Sequence, residues 1–182
     1  TYAVVSPAPG NPGAGGSIAF RHVRPLGTQL VLQDGRKFRF AGAGGSSTPL
    51  VVGNLLSAGA LTASQQDLTP AATVVGDRTI SLTTGASSAI NVFAEGWAQV
   101  SVTPDLGNVY KIAGHATMAT AAGDLVHQAP GHSIRVAWTT STRVNLVDNP
   151  YFRVIQSPSD PVVSIPVGVA VAIVNSQRGG WI

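Results

Sequence analysis

The densest grouping of potential metal ligands in this sequence is Asp124, His127 and His132, in the stretch GDLVHQAPGHS. On a strand, neither spacing forms a compact chelating pair, and the Pro-Gly pair between the two histidines indicates a loop or hairpin tip. A complete site would need ligands from elsewhere, such as His115. We therefore predict that the chain has no metal centre.

Catalytic chemistry has equally little support. The eight acidic residues are scattered singly, and five of them adjoin turn formers, where a carboxylate normally caps the backbone. These five are Asp34, Asp77, Asp105, Asp148 and Asp160. No Gly-x-Ser-x-Gly elbow occurs, and the lack of cysteine excludes thiol catalysis, disulfides and Cys-type zinc sites. We predict no catalytic residues and no enzymatic activity.

Two glycine-rich stretches, GNPGAGGS and AGAGGSST, invite comparison with phosphate-binding loops. Both lack the lysine of that motif, and neither lies between a clear strand and a helix. They are predicted to be a linker and a turn. No nucleotide or other cofactor is expected.

Basic side chains are concentrated near the start of the chain. Residues 1–40 contain five basic residues and one acidic residue, a net charge of +4, whereas residues 41–182 contain six basic and seven acidic residues, a net charge of −1. Such a cationic segment suits nucleic acid, an acidic protein surface, or simply solvent. The near-neutral remainder argues against nucleic acid. The candidate binding residues are Arg21, Arg24, Arg36, Lys37 and Arg39.

The segment VLQDGRKFRFA predicts a β-hairpin around these cations. An Asp-Gly turn signal is followed by alternation that places Arg36, Phe38 and Phe40 on one face. Lys37 and Arg39 fall on the other face. We expect the phenylalanines to enter the core and the basic residues to face outward.

The rest of the chain is typical of an all-β protein. From about residue 73, short runs rich in Val, Ile, Thr and aromatic residues alternate with turn formers, which predicts an antiparallel β-sandwich or barrel. Residues 1–22, rich in Pro and Gly, are predicted to form an extended N-terminal arm, and residues 23–182 a single β domain. No run of eighteen apolar residues and no signal-peptide pattern is present, so no membrane association is expected.

Individual runs show the period of a half-buried strand. In DRTISLTT, Ile80 and Leu82 share one face. In NVFAEGWAQVSV, alternation places Phe93 and Trp97 on the face that carries the polar groups. That arrangement fits an interface, core side chains beside a bulge at Gly96, or a ligand platform.

Five short segments stand out along the chain: DGRKFRF, Glu95 to Trp97, Tyr110-Lys111-Ile112, Asn149-Pro150-Tyr151 and Gly180-Trp181-Ile182. In this order, from about Val23 to Ile182, the sequence resembles a family of small proteins of tailed bacteriophages. These proteins are encoded with the major capsid protein and resemble head decoration, or cement, proteins.

The resemblance implies a non-enzymatic all-β protein, assembled as a homotrimer, whose partner is the major capsid protein. It also implies a place on the outer surface of the virion, where bridging between capsomers stabilises the expanded shell. The candidate cations would then pair with acidic groups of the capsid. The alternative is a carbohydrate-binding β-sandwich, such as a host-surface adhesin, in which Trp97, Trp138 or Trp181 stacks on a sugar ring.

Overall fold

The computed structural model describes residues 24–44, 49–59, 63–120, 122–157, 165–176 and 178–182. The predicted N-terminal arm, residues 1–22, lies outside this part of the chain. The described protein is all-β, as predicted, with one short 3-10 helix at Ala63–Gln65. Its strands are β1 Gln29–Val31, β2 Lys37–Gly42, β3 Leu55–Ser57, β4 Thr69–Pro70, β5 Thr79–Thr83, β6 Trp97–Val100, β7 Val109–His115, β8 Ala122–Gln128, β9 Val144–Val147, β10 Ile155–Gln156, β11 Pro166–Val169 and β12 Gly179–Trp181. These residues contain no helix of the length and hydrophobicity needed to span a bilayer.

Six strands form one antiparallel sheet in the order β4-β5-β8-β7-β6-β9. The two edges of this sheet meet, because Leu68, just before β4, forms an isolated bridge with Val144 of β9. Two backbone hydrogen bonds make the bridge, with N–O distances of 2.9 and 3.0 Å. The sheet therefore closes on itself as a barrel and presents little unpaired edge.

Alternate side chains of the barrel strands point inward. In β5, Ile80 and Leu82 are buried while Thr79 and Thr83 are exposed, as the sequence alternation predicts. Aliphatic and aromatic residues from every part of the barrel form one cluster, which consists of Leu68, Ile80, Leu82, Phe93, Ala98, Val100, Tyr110, Ile112, Met118, Val126, Ile134, Trp138, Val144 and Leu146. We call the six-stranded sheet and this cluster the barrel.

The other strands form two three-stranded antiparallel sheets, β1-β2-β12 and β10-β3-β11. A parallel bridge between Ala43 and Val154 connects them. Both sheets contribute to a second hydrophobic cluster, which consists of Ala41, Ala43, Leu50, Leu56, Val154, Ala170, Val174 and Ile182. We call these two sheets and their cluster the two-sheet lobe.

Two runs that predict long strands are largely irregular. NVFAEGWAQVSV is a strand only from Trp97 to Val100, because Asn91 and Glu95 have φ angles of 59° and 60°, which no strand accommodates. Phe93 therefore enters the barrel core from a turn, and the shared face predicted for Phe93 and Trp97 is wrong. SIRVAWTTSTRVNLV is likewise a strand only at β9.

Candidate interaction surface

The predicted hairpin exists and projects the basic residues outward. Strands β1 and β2 pair antiparallel, with Val31 opposite Lys37 and Gln29 opposite Arg39. Residues directly opposite one another have side chains on the same face of a sheet, and all four of these are exposed. We call these four residues the basic face.

The turn at the tip of the hairpin is held by its own hydrogen bonds. Gly35 has a φ of 84°, a conformation that glycine adopts without strain, and its N–H donates to the Leu32 carbonyl at 3.0 Å. The Asp34 carboxylate accepts from the backbone N–H of Arg36 at 3.1 Å and from its guanidinium at 2.7 Å. These contacts with Arg36 lower the pKa of Asp34. Asp34 therefore partly neutralises the charge of Arg36 within the same turn.

The base of the hairpin is fixed by strand β12. Arg39 and Ile182 exchange two backbone hydrogen bonds, of 2.8 and 2.9 Å, and the ring of Trp181 meets Phe40 edge-on, with 5.5 Å between centroids. The Arg39 guanidinium also donates to the Gly27 carbonyl at 2.9 Å. The backbone that carries Lys37 and Arg39 is consequently anchored, while the Lys37 side chain reaches into solvent.

The five candidate cations differ in their settings. Lys37 and Arg39 lie together on the basic face, and Arg24 is exposed at the start of the described chain. Arg36 pairs with Asp34, and Arg21 lies outside the described residues. The expectation that the phenylalanines enter the core is wrong: Phe38 and Phe40 are half-buried and belong to neither cluster, and Phe40 packs instead against the Trp181 ring of the same sheet.

Polar contacts around Glu95 join the lobe to the barrel. The Glu95 carboxylate accepts from the Leu26 N–H at 2.6 Å, which ties the hairpin sheet to the barrel. The Glu95 carbonyl accepts from the Lys111 ammonium and from the Asn149 amide. Lys111 also lies 4.0 Å from the centroid of the Trp97 ring, and burial lowers the pKa of its ammonium.

This junction collects residues from three of the five segments that stand out in the sequence, Glu95 to Trp97, Tyr110 to Ile112 and Asn149 to Tyr151. The remaining two, DGRKFRF and Gly180 to Ile182, pair with each other as β2 and β12. The first three segments therefore meet at the junction, and the other two build the sheet that carries the hairpin.

The structure does not bring Asp124, His127 and His132 together as a metal site. Each of them makes a different contact. Asp124 accepts from the Thr84 hydroxyl, His127 contacts the Thr79 hydroxyl, and His132 accepts from the Lys111 N–H at 3.4 Å. In the described chain, no three histidine, aspartate or glutamate side chains come together in a way that could hold a metal ion.

His115 is a buried structural residue of the barrel. Its Nε2 accepts from the Phe93 N–H at 3.0 Å, and its Nδ1 lies 2.7 Å from the Ala116 carbonyl, which fits a neutral ring with the proton on Nδ1. Burial lowers the pKa of His115, and the nearby carbonyl and two carboxylates oppose that shift only in part.

Asp105 does far more than the turn capping predicted for it. Its buried carboxylate accepts from the Trp138 indole at 2.8 Å, from the Tyr110 hydroxyl at 2.5 Å and from the Asn108 amide at 2.5 Å. Burial, with the bond to Asp105, raises the pKa of Tyr110 to about 12. Asn108 and Tyr110 lie three and five residues from Asp105, but Trp138 lies 33 residues away, so local sequence carried no signal of that contact.

Asp148 also departs from simple capping, because its half-buried carboxylate pairs with the Arg153 guanidinium. Burial is the main cause of its raised pKa. The capping role is confirmed for Asp34 and for Asp77, whose carboxylate accepts from the Val74 N–H at 2.8 Å. Asp160 lies outside the described residues.

The three tryptophans offer little open ring surface. Trp138 is only 2% exposed and is part of the barrel core. Trp97 is half-buried beneath Lys111, and Trp181 is half-buried against Phe40. Trp138 is thus excluded as a sugar-stacking platform, because its ring is not accessible.

Comparisons with protein-family models, with curated proteins and with solved structures found no match to this chain.

Proposed function

We propose that this protein is a structural assembly protein that attaches, as a homotrimer, to the outside of an icosahedral phage head and stabilises the expanded shell by bridging capsomers. The resemblance of its ordered segments to head decoration proteins supplies the class. The observation that carries the proposal is the basic face, where two cations stand on an anchored hairpin with no acidic partner among the described residues.

The electrostatics of the hairpin favour a partner other than the protein itself. The ion pairs within the described chain involve Arg36, Arg143 and Arg153, so the charges of Lys37 and Arg39 remain available for an external acidic surface. Exposed charges steer association and set its specificity, and such contacts weaken as salt screens them. The anchored backbone reduces the entropy lost on docking.

The proposed bridging depends on many weak contacts of the same kind between the protein and the shell. A trimer presents its basic face three times, so weak individual contacts combine into firm attachment. If the protein binds only the expanded shell, its binding shifts the equilibrium of the shell toward the expanded state. Neither effect requires a catalytic group.

The test is co-sedimentation of the purified protein with DNA-filled heads and with unexpanded precursor shells. We expect saturable binding to filled heads only, at a fixed ratio to the capsid subunit. The double variant Lys37→Ala/Arg39→Ala should bind each contact about tenfold more weakly, or ~1.4 kcal/mol, with the salt dependence of binding reduced.

The matched control is Arg78→Ala/Arg135→Ala, which removes two exposed arginines from the barrel and changes the net charge equally. Equal losses in both variants would mean that only net charge matters. An absence of binding to either shell would overturn the proposal. A shift in tryptophan fluorescence with glycans would instead support the carbohydrate-binding alternative through Trp97 or Trp181.

A further inference from the structure

The two-sheet lobe leaves an unusual amount of aliphatic surface uncovered. Two neighbouring segments carry six exposed side chains, between 44% and 67% accessible. They are Val51, Val52, Leu55, Val169, Val171 and Ile173. We call these six residues the aliphatic patch.

Backbone pairing brings the two segments side by side. Leu55 lies directly opposite Val169 in the β3–β11 ladder. Beyond the ladder, Leu50 bridges to Val174, and the Gly53 N–H donates to the Ala170 carbonyl at 2.8 Å. The exposed residues 51–52 and 171–173 are therefore held between two fixed points. The patch is continuous across both segments.

The patch carries no charge. None of the described residues 49–59 and 165–176 is acidic or basic, whereas charged residues recur throughout the barrel. An uncharged surface meets a copy of itself without burying unpaired charge, the largest cost of a self-contact. A single-sign surface such as the basic face would repel its copy. Of the two surfaces, only the patch can meet neighbouring copies around a threefold axis without repulsion or buried charge.

The size of the patch is adequate for such a contact. Six side chains of this exposure present roughly 500 Å², and flanking residues can supply the rest of the about 800 Å² that each partner buries in a standard interface. Monomeric proteins seldom leave apolar patches above a few hundred Å² open to water.

We propose that the aliphatic patch is where copies of this chain contact one another. The inference deepens the proposed function, because it assigns the self-contacts of the trimer to this patch and leaves the basic face for the capsid. Association would cover the valine and isoleucine side chains and leave Lys37 and Arg39 outward on the same lobe.

Sedimentation equilibrium of the protein alone tests the inference. We expect Val171→Asp/Ile173→Asp to lower the weight-average mass about threefold, to the 18.5 kDa of one chain, because each contact would bury an unpaired carboxylate. The control Val74→Asp/Val75→Asp alters two valines of the barrel, each 65% exposed, and should keep the mass of the wild type. Circular dichroism checks that both variants fold.

Thiol labelling gives a second measurement that needs no disruptive change. The chain lacks cysteine, so Ile173→Cys and Val75→Cys each introduce a single reactive group. We expect labelling of Ile173→Cys to slow as the protein concentration rises, and labelling of Val75→Cys to stay constant.

The possible failures are distinguishable. Assembly that persists in Val171→Asp/Ile173→Asp, with Ile173→Cys labelled freely, would overturn this inference and leave the proposed function standing. A wild type that is monomeric at all concentrations would overturn the inference and the trimer, while capsid binding is judged separately by co-sedimentation. Protection of Ile173→Cys only after shells are added would assign the patch to the capsid instead.

Discussion

The barrel and the two-sheet lobe bury their hydrophobic side chains to different extents. The barrel cluster has fourteen buried residues, among them Phe93, Tyr110 and Trp138, inside a sheet whose edges are joined. The lobe cluster has eight, of which three are alanines, and ten of the seventeen exposed large hydrophobic residues are on the lobe. A small core supplies little net stability, so the lobe has more to gain from any contact that covers its exposed surface.

Buried polar groups differ from one another in how fully they are hydrogen-bonded. The barrel encloses Asp105 and His115, and each has hydrogen-bond partners. Buried side-chain atoms without a partner among the described residues occur in both regions, namely the Ser57 hydroxyl in the lobe and the Gln128 amide in barrel strand β8. A fully satisfied network fixes one arrangement of a core, whereas an unpaired hydroxyl contributes nothing specific. The Asp105 network therefore fixes the barrel core more specifically than the Ser57 hydroxyl fixes the lobe.

The largest expected effect is removal of the Asp105 carboxylate. Asp105→Ala leaves the buried Trp138 and Tyr110 donors without their acceptor, at about 1–3 kcal/mol each, so we expect the free energy of unfolding to fall by roughly 3 kcal/mol or more. Ser57→Ala in the lobe is the counterpart and should be neutral or slightly stabilising. Urea denaturation measures both, and similar losses in the two variants would contradict the contrast.

The next effect concerns the junction between the two regions. At Gly96, a side chain would enter the space of the Val147 carbonyl and approach the Asn149 N–H, so Gly96→Ala should cost about 1–3 kcal/mol. Gly53→Ala is the control: its φ is 84° but nothing lies within 4 Å, and only the backbone cost of about 1 kcal/mol is expected. Thermal denaturation should give a lower melting temperature for Gly96→Ala than for Gly53→Ala. The reverse ranking would show that the backbone around Gly96 shifts to accept a side chain at little cost.

The smallest expected effect is a pH dependence that belongs to the barrel. Because burial lowers the pKa of His115 below 6.5, the unfolded chain binds the proton first as the pH falls. The free energy of unfolding should therefore decrease below about pH 6.5, by ~1 kcal/mol or less. Asp148 has the opposite sign, since burial raises its pKa.

Substitution separates the His115 contribution from the others. Between about pH 7 and pH 5, His115→Gln should flatten the pH dependence of the melting temperature. A slope that survives in His115→Gln would assign the acid sensitivity to another group.

Local patterns in the sequence were sufficient for part of this structure. The alternation at Ile80 and Leu82 predicted the buried face of β5, and the alternation after the Asp-Gly turn predicted that Lys37 and Arg39 point outward. Both follow from the two-residue period of a strand, which depends only on neighbouring residues.

Contacts between distant residues were beyond such patterns. The acceptor role of Asp105 depends on Trp138, and closure of the barrel depends on Leu68 meeting Val144. The turn at Asn91 and Glu95 was missed because alternation of apolar residues continues across it, although the asparagine and Gly96 were signals for a break. The aliphatic patch needed the pairing of β3 with β11 before its two segments could be seen as one surface.

The pairing of β2 with β12 has a consequence for the order in which the protein matures. Phe40 pairs with Trp181, so the strand that bears Lys37 and Arg39 completes its sheet only after residue 181 has been synthesised. The barrel residues 68–147 leave the ribosome earlier and can close first. The hairpin is then set in place after the barrel, on a support that has already formed.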